Sequence, residues 1–225
     1  MPPPDLHVSD DPAGAVAQLL ADQARRGGSI VLTGGSTPGE AYEQASRLES
    51  DWHEVTLWWG DERCVPPDDE NSNYGLAKRT LLDRLQRPPR EVHRIRGEAD
   101  PEQAAAELDA ALAGAELDVM LLGLGPDGHM ASLFPGSPQL QVTDRRAVSG
   151  PPGLEPWIER VTMTVPVIQA AKRIVFLVSG EAKADAVARA FGGEVTPEVP
   201  ASLSRRAPVP VEVFLDPAAA AKIGA

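Results

Sequence analysis

The chain has 225 residues, 42% hydrophobic and 24% charged, the composition of a globular protein long enough to bury a sizeable core. Against 33 acidic residues stand 21 basic ones; the net charge of −12 excludes bulk-charge gripping of nucleic acid or an anionic membrane. One cysteine, Cys64, excludes an internal disulfide framework and a cysteine metal cluster.

In chain order, Met1-Pro2-Pro3-Pro4-Asp5 lacks the basic and apolar regions of a signal peptide, and no apolar run approaches the ~18 residues of a membrane span. A soluble cytoplasmic protein is expected. A helix is predicted over 12–26, with Pro12 in its first turn. The run 29–33 reads as a buried strand that ends at Gly34-Gly35, and a helix follows over 38–50. A second strand, 55–59, ends at Gly60-Asp61 and is followed by helices over 73–85 and 101–113. Strand 117–122 ends at Gly123, and strand 174–178 ends at Ser179-Gly180 before a helix over 181–191. Strand 211–215 is the last. Continuously apolar strands alternating with helices imply one mainly parallel sheet covered on both faces. The proline-rich piece 150–156 reads as a surface loop, and the chain reads as a single domain over 1–225.

Ligands of open parallel sheets sit outside the carboxyl ends of the strands, where four polar clusters fall. Thr33-Gly34-Gly35-Ser36-Thr37-Pro38 is either an anion cradle at a helix start or a capped tight turn; it lacks the lysine of a Walker A loop. Gly60-Asp61-Glu62-Arg63 is either a functional cluster or a surface ion pair. Ser72 and Asn73 read as helix caps. Leu122 to Pro135 carries a glycine-rich bend that presents Asp127 and His129, the arrangement of an oriented general base. His7, His53 and His93 have no such setting and read as surface residues. No pair has metal-site spacing, so no metal is expected. Lys183, after Ser179-Gly180, and Arg160 are candidate cations for an anionic ligand. Cys64 has no histidine partner in sequence and reads as inert.

Taken together, these motifs resemble the 6-phosphogluconolactonase family, within the glucosamine-6-phosphate deaminase-like superfamily. The resemblance runs from Val31 to about Ser204. It rests on Leu32 to Pro38, Trp59 to Pro66, Ser72-Asn73-Tyr74, Gly125-Pro126-Asp127-Gly128-His129 with Ala131 to Pro135, Ser179 to Ala184, and Pro200-Ala201-Ser202. It implies a three-layer α/β/α Rossmann-like sandwich that hydrolyses 6-phospho-D-glucono-1,5-lactone in the pentose phosphate pathway without cofactor or metal. A phosphosugar lactone is then the partner, with no nucleic acid or membrane. Carried onto this chain, the resemblance puts the catalytic histidine at His129, with Asp127, Arg63 and Asp61 near the reacting end. It puts phosphate binding on Gly34, Gly35, Ser36, Thr37, Arg160 and Lys183. The chain departs from the family at Met130, where threonine is usual, and at Gln169, where asparagine is usual.

Three other readings are weaker. An amino-sugar phosphate deaminase resembling this fold carries an acid after the histidine motif, where this chain has Ser132-Leu133-Phe134-Pro135. A sugar-phosphate sensor carries a DNA-binding domain, for which the residues before Val31 leave no room. A silent scaffold is disfavoured by the intact Asp127-Gly128-His129.

Overall fold

Apolar runs become strands here wherever both faces of the run are covered, as a computed structural model describing residues 2–223 makes plain. In chain order the elements are β1 (Asp5–Val8), α1 (Pro12–Arg26), β2 (Gly28–Leu32), α2 (Ser36–Leu48), β3 (Val55–Trp59), β4 (Asp61–Arg63), α3 (Asn73–Thr80) and β5 (Glu91–His93). Then follow α4 (Pro101–Ala111), β6 (Val119–Leu122), β7 (Ala147–Gly150), β8 (Arg160–Met163), α5 (Val165–Gln169), β9 (Ile174–Val178), α6 (Ala184–Val187) and β10 (Val211–Leu215).

Seven strands make one parallel sheet in the order β1-β10-β9-β6-β2-β3-β5. Every residue of β3, β6 and β9 is buried. Because successive side chains point to opposite faces, that burial requires cover on both, and helices flank the sheet to supply it. This is the three-layer α/β/α arrangement expected from the sequence. Leu32 lies opposite Trp59, and Leu122 opposite Phe176, so β2 and β3 end level with each other, while β9 runs on past the end of β6 to Val178. The four polar clusters therefore emerge along one edge.

At Gly60 the chain leaves the main sheet. Its N–H still donates to Leu32 O (3.0 Å), while its carbonyl accepts from Met163 N (2.8 Å). β4 then pairs antiparallel with β8, and β8 with β7, in a three-stranded sheet absent from the sequence reading. Its strands are three or four residues long, too short for a periodic signal.

Helix ends differ from the predicted ones for local reasons. α2 begins two residues early because Gly35, at φ 114°, takes the N-cap conformation. Beyond α3 and Leu81, the predicted helix continues only as the 3₁₀ turn Leu82–Arg84, and α4 stops short of Gly114 (φ 77°). The helix predicted over 181–191 is three pieces: a 3₁₀ turn, α6 and the π turn Ala188–Gly192. The π turn keeps Ala190 and Phe191 buried, with Phe191 edge-on to Phe176 at 5.0 Å. The 150–156 segment is not purely a surface loop, since Gly150 ends β7 and Leu154 and Glu155 turn into a cleft. Among the described residues no helix is long and apolar enough to cross a membrane.

Candidate active site

A cleft of about 430 Å³ opens at the carboxyl edge of the sheet. Gly34, Gly35, Ser36, Thr37, Asp61, Arg63, His129, Arg160 and Lys183 all line it, and Asp127 stands behind His129.

The histidine is aimed by its turn. Gly125 N–H donates to His129 O (2.9 Å) and Gly128 N–H to Gly125 O (3.0 Å), closing a bend that needs Gly128 at φ 95°. A Cβ on Gly125 would overlap the His129 ring. The turn is anchored from outside by Ala201 N–H, which donates to Gly128 O (2.9 Å). Asp127 Oδ1 lies 2.6 Å from His129 Nδ1 and accepts the His129 N–H at 3.1 Å. With that carboxylate on Nδ1, the network assigns the proton to Nδ1 and leaves Nε2 as the basic nitrogen. Burial pushes the Asp127 carboxyl up, but the hydrogen bond and charge of His129 outweigh it and hold it below its ordinary value. Phe134 packs against the imidazole at 4.6 Å between centroids.

The cleft's cations come from three elements. Lys183 is half-buried and donates from Nζ to Leu124 O (2.7 Å); burial lowers its ammonium pKa, against the opposing charge of Asp127. Arg160 donates to Ile158 O and Pro156 O (both 2.9 Å), and Arg63 to Asn71 O (2.6 Å). Arg63 lies directly opposite Arg160 across β4 and β8. Burial first, and then the charge of Arg63, lowers the Arg160 pKa. Like charges in register repel each other, and an anion in the cleft relieves that repulsion. The backbone N–H groups at the start of α2 add to the same field. Tyr42 steadies the approach to that turn, its hydroxyl donating to Thr33 O (2.7 Å) and accepting from Thr33 N (2.9 Å).

Asp61 and Glu62 are buried, so the surface ion-pair reading of that cluster is wrong. Asp61 accepts from Ser132 Oγ at Oδ2 (2.6 Å) and from Asn73 Nδ2 at Oδ1 (3.3 Å). Glu62 faces away from the cleft and gathers four donors: the N–H groups of Arg63, Asn73 and Tyr74, and the Ser72 hydroxyl. Burial raises its carboxyl pKa despite them. It is a structural acid that fastens the start of α3. Glu62→Gln turns an amide N–H₂ toward groups that are themselves donors, so a loss of about 2–4 kcal/mol is expected. Thermal unfolding should fall by roughly 5–15 °C. An unchanged midpoint would contradict this role.

Ser72 caps α3 as predicted, accepting from Gly75 N–H. Asn73 is not a cap: it is the first residue of α3, and its side chain lines the cleft and holds Asp61. Ser132 is a site residue that no sequence motif reveals. Its 71-residue separation from Asp61 left no local signal. Burial pushes the Cys64 thiol up to about 11, with Glu159 and Glu62 adding to the shift, which keeps it protonated at neutral pH. His7, His53 and His93 lie outside the cleft. Among the described residues no group of three or more His, Cys, Asp or Glu is placed to hold a metal ion. Of the two departures, Met130 is fully buried and Gln169 donates to Leu203 O (2.7 Å).

Comparison with known proteins places the chain in a family. The model of the family described as glucosamine-6-phosphate isomerases/6-phosphogluconolactonase matches residues 7–211. A 6-phosphogluconolactonase of Mycobacterium tuberculosis is 38% identical over 205 residues, 84% of this chain and 82% of that protein. One of Synechocystis is 39% identical over 193 residues, 81% of this chain and 78% of that protein. The structure of a 6-phosphogluconolactonase from Trypanosoma brucei superimposes with a TM-score of 0.84 at 26% identity, covering 98% of this chain and 99% of that one. The chain belongs to the glucosamine-6-phosphate isomerase/6-phosphogluconolactonase family.

Proposed function

We propose that this chain, acting as one domain, hydrolyses 6-phospho-D-glucono-1,5-lactone to 6-phospho-D-gluconate, with His129 as the general base. The observation that carries the reading is the Asp127–His129 pair, 2.6 Å apart at Nδ1, beside a cleft walled by Arg63, Arg160 and Lys183. The names of the curated relatives support the same substrate.

In the proposed reaction His129 Nε2 takes a proton from water as the water oxygen bonds to the lactone carbonyl carbon. Such base catalysis contributes typically 10²–10⁴-fold. The carbonyl oxygen becomes an oxyanion, and Arg63 offsets its charge. The C1–O5 bond then breaks, and the imidazolium returns its proton to O5 as the ring opens. The new carboxylic acid ionises in water. Arg160, Lys183, Gly34, Gly35, Ser36 and Thr37 hold the phosphate. The scheme uses water and side chains and includes no redox step.

The test is proton release from freshly generated lactone, measured against the spontaneous rate and beside glucosamine 6-phosphate. Accelerated hydrolysis of the lactone alone is expected. Ammonia from glucosamine 6-phosphate, without lactone hydrolysis, would overturn the reading in favour of a deaminase.

A further inference from the structure

The proposed hydrolysis assigns a step to His129, Arg63 and the phosphate-holding cations, but none to Asp61. This carboxylate lines the cleft, yet is only 6% exposed. Its two side-chain partners are both uncharged, Ser132 Oγ on one oxygen and Asn73 Nδ2 on the other. Those partners are themselves buried, Ser132 at 5% and Asn73 at 1% exposure. The orientation of the Asn73 amide is determined, because its Nδ2 also donates to the Asp61 carbonyl (2.9 Å); the reversed amide would set acceptor against acceptor. Ser132 is aimed with equal care. Ala131 before it is the one non-glycine residue at positive φ (48°) among the described residues, and the Ser132 N–H donates to Thr162 Oγ1 at 3.2 Å. Such backbone strain persists only where the surroundings over-determine it.

An ionised carboxylate accepts about four hydrogen bonds, and burial makes each unfilled site costly. The protein supplies one donor to each oxygen and leaves the remaining capacity beside the cleft. Unfilled acceptor capacity beside the cleft suits the hydroxyl groups of a ligand, while Arg63, Arg160 and Lys183 on the same cleft suit its anionic group. We propose that Asp61 is a specificity-determining residue that accepts a hydrogen bond from a ring hydroxyl of the sugar lactone, with Ser132 and Asn73 as its positioning residues, and that it carries no proton in the reaction. The inference rests on the lactonase reading above.

The experiment measures kcat/KM for 6-phosphogluconolactone and its 2-, 3- and 4-deoxy forms, each divided by its spontaneous hydrolysis rate. A site built to bind a hydroxyl rejects the analogue lacking it strongly, so wild type is expected to lose about 100-fold or more on one deoxy lactone. Asp61→Ala should lose a comparable factor on the parent and less than about threefold on that deoxy form, removing the discrimination. Ser132→Ala should show the same pattern at about tenfold, mainly through KM. Wild type that treats all four lactones alike within threefold overturns the proposal, however the variants fold. Equal losses on every lactone in folded variants overturn it as well. Absence of any hydrolysis of the parent by wild type overturns both this proposal and the activity; hydrolysis without discrimination overturns this proposal alone.

Discussion

His129→Ala is expected to lower kcat by roughly 10²–10⁴-fold while leaving substrate affinity and the fold largely intact. The reason is positional. Its Nδ1 is committed to Asp127 at 2.6 Å, so Nε2 alone is free to take the proton of the attacking water. Removing the ring leaves the turn closed, because the bonds that close it, between Gly125 and His129 and between Gly128 and Gly125, are backbone to backbone. Asp61→Asn serves as the control: it should be milder than His129→Ala, since base and oxyanion partner both remain. Initial rates on fresh lactone, with circular dichroism to verify folding, decide the matter. If the folded Asp61→Asn enzyme is the slower of the two, the roles given to these residues are wrong.

The second large effect concerns the phosphate. Lys183→Ala should lower kcat/KM on 6-phosphogluconolactone by roughly tenfold to a few hundredfold, the equivalent of one charge-assisted hydrogen bond of about 1.5–3 kcal/mol. On unphosphorylated gluconolactone the loss should nearly vanish, because that ligand never uses the contact. Arg160→Ala should show the same selectivity with a further penalty. Its guanidinium also holds the carbonyls of Pro156 and Ile158, so the substitution loosens the segment that brings Leu154 and Glu155 to the cleft. The comparison of the two lactones separates these effects. A Lys183→Ala penalty equal on both would assign the lysine to the wall, through its bond to Leu124 O, and not to the phosphate.

Much of the architecture was legible in the chain itself. Runs such as Val55–Trp59 and Ile174–Val178 are apolar on both faces and end at glycine or serine, which in a parallel sheet places the following polar residues at one edge. Asp127-Gly128-His129 could be read directly because its bonds are local: the aspartate reaches a ring only two residues away. The helix over 181–191 could not. Its last turn is a π turn that holds Phe191 edge-on to Phe176, a contact made across the core.

By itself, then, the sequence determined β2, β3, β6, β9 and β10, the edge on which the site lies, the oriented histidine and the family resemblance, but not the edge strands β1 and β5, which are short and exposed. Only the tertiary structure decided what faces what across that edge. The return of β8 against β4 sets Arg160 opposite Arg63, 97 positions away, and the strained turn at Ala131 carries Ser132 to Asp61. Local periodicity records burial and turns. It does not record which remote donor a buried carboxylate will meet, because that depends on where each crossover brings the chain back.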